Sequence, residues 1–303
     1  MIPVIIGPTA IGKSAVAVEF AKLVSAEIIS CDSRQIYKYM NIVTAKPTAE
    51  EQKETAHYLI DIIEPDEEYS AARWVEDCKK SIETVRKKNK IPVICGGTFF
   101  YMNALRYGFD ISSAQNIELR GVFMKYLSNY GSMELYKILK EKNPQRAAQL
   151  HPNDTYRVVR ALQIENDKKT VLEKSEDEKF VIFVLLCRRE NLYGRINERV
   201  DLMMKNGLLD EYKFICEKYP DKNISSRNCV GYREFDDFDG EKKTLSNCVE
   251  KIKQHSRNFA KRQMTWINNK EKECLFVDAE KHNWNAKSIA QTIAELYFKS
   301  AEV

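Results

Sequence analysis

The chain of 303 residues has no paired cysteines in a metal-binding or redox spacing. Its eight cysteines, at 31, 78, 95, 187, 216, 229, 248 and 274, form no Cys-x-x-C and no Cys/His cluster. That excludes the short metal and dithiol motifs, and the scattered thiols are expected to be reduced and mostly buried, as in a cytoplasmic protein. Long apolar runs are missing too. The longest, Phe180–Cys187, is too short to cross a bilayer and reads as a buried central strand, so no membrane partner is expected. A strong charge of either sign is also absent: the net charge is +4, which by itself points to no polyanionic or polycationic partner. There is no internal repeat and no low-complexity tract. No charged leader or small-residue cleavage site precedes the first strand, so no signal or transit peptide is expected.

What is present begins at residue 7. Gly7-Pro8-Thr9-Ala10-Ile11-Gly12-Lys13-Ser14 is a complete G-x-x-x-x-G-K-[ST] phosphate loop. An apolar strand candidate, Ile2 to Ile6, precedes it, and a helical pattern follows with Val16, Val18, Phe20, Ala21 and Val24. In that context backbone N–H groups wrap a phosphate at a helix N-terminus, Lys13 reaches the outer phosphates and the Ser14 hydroxyl can hold Mg²⁺.

The first hundred residues continue to alternate. Ala26 to Ser33 reads as a strand ending in polar residues, Ala71 to Lys88 as a helix, and Ile91 to Thr98 as a strand ending in a glycine pair. This predicts an α/β fold: a P-loop-type parallel sheet core flanked by helices, with ligands at the carboxyl ends of the strands. Gly12-Lys13, Asp32-Ser33 and Gly97-Thr98 all fall at such ends and are expected to converge on one cleft. From 111 to 175 the pattern turns helical and polar, which predicts a helical insertion between core segments 1–110 and 176–303. A late strand is expected at Cys274 to Asp278.

Asp32 has three open roles: holding Mg²⁺ through water, acting as a general base, or capping a turn. A long apolar strand ending in Asp-Asp or Asp-Glu, the usual partner of an ATPase loop, is missing. Arg227 and Arg233 flank Val230-Gly231-Tyr232 and are within sequence reach of a diphosphate, although a surface loop explains them equally. Arg157 and Arg160 lie three apart on a predicted helix face. Residues 251 to 270 hold Lys251, Lys253, Arg257, Lys261, Arg262 and Lys270 with no acidic residue, and Trp266 near the end suits a nucleic-acid surface. His57 reads as a structural residue.

Taken together, these segments resemble the tRNA dimethylallyltransferase (isopentenyltransferase) family. The resemblance runs in order from residue 7 to 266. It includes the phosphate loop, Asp32-Ser33-Arg34-Gln35-Ile36-Tyr37, Thr44-Ala45-Lys46-Pro47-Thr48, His57 to Asp61 and Tyr69-Ser70-Ala71. Pro92 to Tyr101, Arg157-Val158-Val159-Arg160-Ala161-Leu162, Val230-Gly231-Tyr232-Arg233-Glu234 and Ala260 to Trp266 complete it.

The resemblance implies transfer of a dimethylallyl group from dimethylallyl diphosphate to the exocyclic amine of the adenosine 3′ to the anticodon in tRNA. The loop from Gly7 to Ser14, with Arg227, would then hold the diphosphate, and Ser14 would hold Mg²⁺. Asp32 would take the amine proton, while Lys13 and Thr98 complete the catalytic set. Contacts to the tRNA anticodon stem-loop would come from Asp32, Ser33, Arg34, Gln35, Thr98, Arg120, Tyr156, Arg157, Val158, Val159 and Arg160, and from Arg257, Lys261 and Arg262 of the basic helix. A monomer is expected, and the resemblance is to the bacterial type, since the C-terminal zinc finger of eukaryotic forms is not found. The chain departs from the family pattern at Ile11, Val43, Gln163, Asn166–Thr170 and Asn268. A phosphate-loop nucleoside-type kinase and an isopentenyltransferase acting on free adenine nucleotide are the alternatives. The Arg262-Gln263-Met264-Thr265-Trp266 segment speaks against the kinase.

Overall fold

Every residue of Ile2–Ile6 (β1) is buried, as a parallel strand covered on both faces requires. The coordinates are a computed structural model, and they describe all residues except 111–116, 167–170, 173–177, 237, 239–243, 271–273 and 302–303. After β1 come Lys13–Val24 (α1), Ala26–Cys31 (β2), Ala49–Glu54 (α2), His57–Tyr58 (β3), Ala71–Lys87 (α3), Ile91–Gly96 (β4) and Phe99–Tyr107 (α4). Phe109–Asp110 (β5), Ile117–Lys142 (α5), Pro144–Ala147 (α6), Thr155–Asn166 (α7) and Val171–Leu172 (β6) follow. The chain closes with Phe180–Leu186 (β7), Arg189–Lys205 (α8), Leu208–Lys218 (α9), Leu245–Lys270 (α10), Cys274–Asp278 (β8) and Ala286–Ala301 (α11).

Two units separate. One contains Met1–Met102 and Asp177–Val303, and the other Asn103–Glu176. The first is built on a six-stranded sheet of order β3-β2-β4-β1-β7-β8 in which every pairing is parallel. The apolar run at 180 is β7, next to β1, and the late strand is β8 at the sheet edge, as expected. Parallel neighbours need crossover connections, and the intervening helices supply them. Ile5, Ile28, Val93, Phe183 and Leu185 share a core with Val16, Phe20 and Val24 of α1 and Ile289 and Ile293 of α11. Trp74 of α3 is fully buried and donates its indole N–H to the Ser30 carbonyl at 3.0 Å, locking that helix to β2.

In the second unit α5, α6 and α7 enclose Phe123, Leu135, Leu139, Ala147, Val158, Val159 and Leu162, and β5 pairs antiparallel with β6. Among the described residues no helix is long and apolar enough to cross a membrane.

Candidate active site

The sheet register brings the polar clusters together. Ile6 pairs with Gly96, and Gly96 with Cys31, so β1, β4 and β2 end at one level with β4 in the middle. The phosphate loop, Gly97-Thr98 and Asp32-Ser33 therefore leave the sheet side by side. Gly12 caps α1 in the left-handed region (φ 99°), and Ala10 is also left-handed (φ 64°), which curls the loop over the helix start. Pro8 and Ile11 are buried, while Gly12, Lys13 and Ser14 are half-exposed at the mouth. Ile11 is absorbed by the main core, which explains how the loop tolerates this larger residue.

The loop is poised for an anion. Lys13 donates to the Pro8 carbonyl at 2.8 Å, and burial pushes its ammonium down to about 8, with Arg199 adding repulsion and the Asp32 carboxylate opposing both. Burial likewise lowers the Arg199 guanidinium, and Asp32 again opposes the shift. Two cations disfavoured by burial beside one carboxylate leave excess positive charge, an environment that favours an anion.

Asp32 takes one of its three expected roles, the turn cap. Its Oδ1 accepts from the Arg34 N–H at 2.8 Å and from the Gln35 N–H at 3.4 Å, a turn cap, and among the described residues Oδ2 has no partner. Thr98 joins this cluster: its Oγ1 accepts from the Ser33 N–H at 3.0 Å, and its own N–H donates to the Cys31 carbonyl. Arg34 reaches across to the carbonyls of Ser225 and Asn228 at 2.6 and 3.1 Å. The Gln35 side chain accepts from Ser30 at 2.9 Å and donates towards the carbonyls of Thr44 and Ala45. Both long side chains thus brace the turn that carries Asp32.

Three residues that sequence reasoning did not single out hold the phosphate loop from outside. Arg195 donates to the Ala10 carbonyl at 3.0 Å and stacks on Trp284, its guanidinium 4.2 Å from the ring centre. Arg199 donates to Thr9 Oγ1 at 3.1 Å. Gln263 is buried and accepts from the Thr9 N–H at 2.8 Å. The only sequence signal for the arginines is their spacing of four on α8, which ordinary surface helices share. Glu211 is a fourth omission, since its carboxylate accepts from the N–H groups of Asn41, Ile42 and Val43 at 2.7 to 3.0 Å and secures the loop after Gln35.

The remaining expected site residues make contacts of their own. Arg227 is buried, pairs with Asp236 at 3.0 Å and leans on Tyr212, and among the described residues no hydrogen bond or ion pair joins it to the phosphate loop. Val158 and Val159 point into the core of the second unit, because they lie on the apolar stripe of α7. Tyr156 and Arg157 on the same helix are exposed; Arg157 pairs with Asp154 at 2.8 Å, and Arg120 lies 5.9 Å from the Tyr156 ring centre. Arg160 is half-exposed. On α10, Arg257 donates to Asn197 at 2.6 Å, whereas Lys261 and Arg262 are exposed and line an open groove of about 490 Å³ with Asn258, Thr265, Trp266 and Asn269. Trp266 stacks on Phe99 at 4.7 Å. His57 holds the Thr55 carbonyl at 2.7 Å.

No His/Cys/Asp/Glu cluster among the described residues forms a metal site by itself. Ser14 in the first turn of α1 fits the mode in which Mg²⁺ takes one protein oxygen and completes its shell with phosphate oxygens and water.

Comparison with known proteins shows what this site is similar to. The model of the IPP transferase family matches residues 35–270. A tRNA dimethylallyltransferase of Clostridioides difficile is 42% identical over 276 residues, covering 88% of either chain, and one of Acetivibrio thermocellus is 40% identical over 273 residues, covering 87% of either. The crystal structure of a tRNA isopentenylpyrophosphate transferase from Staphylococcus epidermidis superposes with a TM-score of 0.73 at 33% identity, covering 99% of both chains. A eukaryotic dimethylallyltransferase caught acting on tRNA superposes with a TM-score of 0.76 at 26% identity, covering 99% of this chain and 79% of the other.

Proposed function

This chain belongs to the IPP transferase family, and from that premise we propose how its own residues move a dimethylallyl group onto tRNA. The chain is a tRNA-modifying prenyl transferase. The donor in this reading is dimethylallyl diphosphate, and the acceptor is the exocyclic amine of the adenosine 3′ to the anticodon. The observation that supports the reading is the juxtaposition at the strand ends: the phosphate loop, the Gly97-Thr98 turn and the Asp32-Ser33 turn leave neighbouring strands at one level.

When the allylic C–O bond breaks, its electron pair departs on the diphosphate. Fixed N–H donors of the loop, Lys13 and Arg199 stabilise that growing charge more than they stabilise the substrate, which is what lowers the barrier. The adenine nitrogen forms the new C–N bond, and its surplus proton passes to Asp32 Oδ2. Oδ1 stays with the turn, so the base is aimed by its own cap. Thr98 orients the incoming amine or the bridging oxygen. Ser14 would hold a Mg²⁺, which would supply further positive charge at the leaving group. Exchange of water for these fixed groups requires the base to be extruded from its stack.

The RNA is gripped by its phosphates along Lys261 and Arg262 and, in the helical insertion, at Arg120, Tyr156 and Arg157. Single-stranded loops are read by stacking and by backbone charge in this way. The enzyme works as a monomer in the cytoplasm in this reading.

Mass spectrometry of anticodon-loop fragments, after incubation of tRNA and labelled dimethylallyl diphosphate with the protein, tests all of this. The expected product is one added dimethylallyl group on the adenosine 3′ to the anticodon. Label found only on free AMP, or thermal stabilisation by ATP and not by the prenyl donor, overturns the reading.

A further inference from the structure

We propose that Gln263 is a positioning residue for the donor cradle, setting the gap between the phosphate loop and the β4–α4 turn. This deepens the reading above and rests on it. Gln263 uses both ends of one planar carboxamide: Oε1 accepts from the Thr9 N–H at 2.8 Å, and Nε2 donates to the Gly97 carbonyl at 3.0 Å. Its side chain is 5% exposed, so neither bond competes with bulk water. Thr9 lies inside the phosphate loop, and Gly97 directly precedes Thr98. A single side chain from α10 therefore joins the element that grips the leaving group to the one that orients the acceptor. The Thr9 N–H, spent on Gln263, leaves the loop's later amides to face a diphosphate.

Gly97 supplies the second observation. A Cβ there would lie 2.6 Å from Gln263 Nε2, while its next neighbours, the Gly7 carbonyl and Lys13 Nζ, are at an ordinary 3.7 and 3.8 Å. The missing side chain thus makes room for the carboxamide and for nothing else close by. Both sides of the contact are shaped to one another. Lys261 and Arg262, two and one residues back on the same helix, are exposed. Gln263 is turned inward, away from the face that meets RNA.

The test is a double-mutant cycle on the full chain with Gln263→Ala, Gly97→Ala and both together. The readouts are the KM for dimethylallyl diphosphate, kcat and the Kd for an anticodon stem-loop. Loss of a buried bidentate contact is expected to raise donor KM roughly tenfold in either single variant. Stem-loop Kd stays within about twofold, which a general loosening of α10 would not allow. In the Gln263→Ala background, Gly97→Ala adds less than about twofold, because its clash partner is gone. Gln263→Met fills the volume without either hydrogen bond and carries the same expected rise should the alanine variant not fold.

Effects that multiply in the double variant, or a shift in stem-loop Kd with donor KM unchanged, overturn the proposal. Calorimetry with inorganic pyrophosphate separates the two layers. Wild-type protein that fails to bind pyrophosphate overturns the diphosphate reading and this proposal with it. Binding that is equal in wild type and variants overturns the proposal alone.

Discussion

The phosphate-loop end of the sheet and the exposed face of α7 carry the same kinds of residue and treat them in opposite ways. Around the loop, Lys13, Arg195, Arg199 and Gln263 are half-buried or buried and braced to the Pro8, Ala10 and Gly97 carbonyls and the Thr9 hydroxyl. On α7, Tyr156 and Arg157 stand in solvent, and the Arg157 partner is Asp154, only three residues away in its own chain segment. The first arrangement costs stability and provides fixed donors. The second costs almost nothing, since an exposed ion pair contributes about 0–1 kcal/mol. Bond breaking needs donors that do not reorganise, whereas gripping a polyanion needs mobile charge and little more.

The largest expected effect breaks the comparison on its catalytic side. Asp32→Ala should lower kcat by roughly 10²–10⁴, the usual share of a general base, while stem-loop Kd is kept. Unchanged turnover would remove Asp32 from the chemistry. Next is Arg199→Ala, which removes a charged donor half-hidden from water and should weaken binding of the prenyl diphosphate by about 10- to 100-fold, measured as donor KM.

Lys13 sharpens the comparison through pH. Its ammonium titrates near 8 in the free protein instead of at 10.5, so above pH 8 a diphosphate must bring a proton with it. Pyrophosphate affinity should then fall by up to about tenfold per pH unit above 8, read by calorimetry in buffers of different ionisation heat. The sign for stability follows from the same shift. Below pH 8 the lysine is charged in both folded and unfolded chains and its full burial penalty is present; between 8 and 10.5 only the unfolded chain holds the proton, so folding is favoured as pH rises. Lys13→Met should accordingly raise the thermal midpoint of the unliganded protein at pH 7, at the expense of activity.

Smaller effects are expected further out. Trp284→Ala frees Arg195 from its stacking partner and should raise donor KM about two- to fivefold, with Trp284→Phe restoring most of it. Smallest is Arg157→Ala, which should weaken tRNA binding a few-fold across sequences and reduce the salt slope by about one. A large loss of turnover from Arg157→Ala would erase the distinction between the two regions.

Much of the catalytic end was legible because its signals are local. The phosphate loop is eight consecutive residues between a strand and a helix, and Asp32-Ser33 and Gly97-Thr98 each close an apolar run. The roles proposed for them in a prenyl transfer rest on the ordered resemblance of many segments. The braces were not legible. Arg195, Arg199 and Gln263 lie 185, 190 and 254 residues from their partners, and nothing in local pattern shows which groups they brace, although Gln263 lies in a segment that carries the resemblance. Arg227 shows a different limit: beside a glycine turn it reads as a phosphate ligand, but the pairing of its guanidinium with Asp236 and Tyr212 has no signal in the local sequence. Val158 and Val159 were drawn in with their arginine neighbours, although helical periodicity places them on the buried stripe.

By itself, then, the order of residues determined that this protein has a parallel α/β sheet with a phosphate cradle at its first turn, since strand alternation and a contiguous loop need only neighbours in the chain. Which side chains brace that cradle, which arginines face solvent and which side chain lies against Gly97 were decided only in three dimensions. Those properties belong to contacts between elements more than a hundred and fifty residues apart, and only the closing of the sheet brings them within hydrogen-bonding distance.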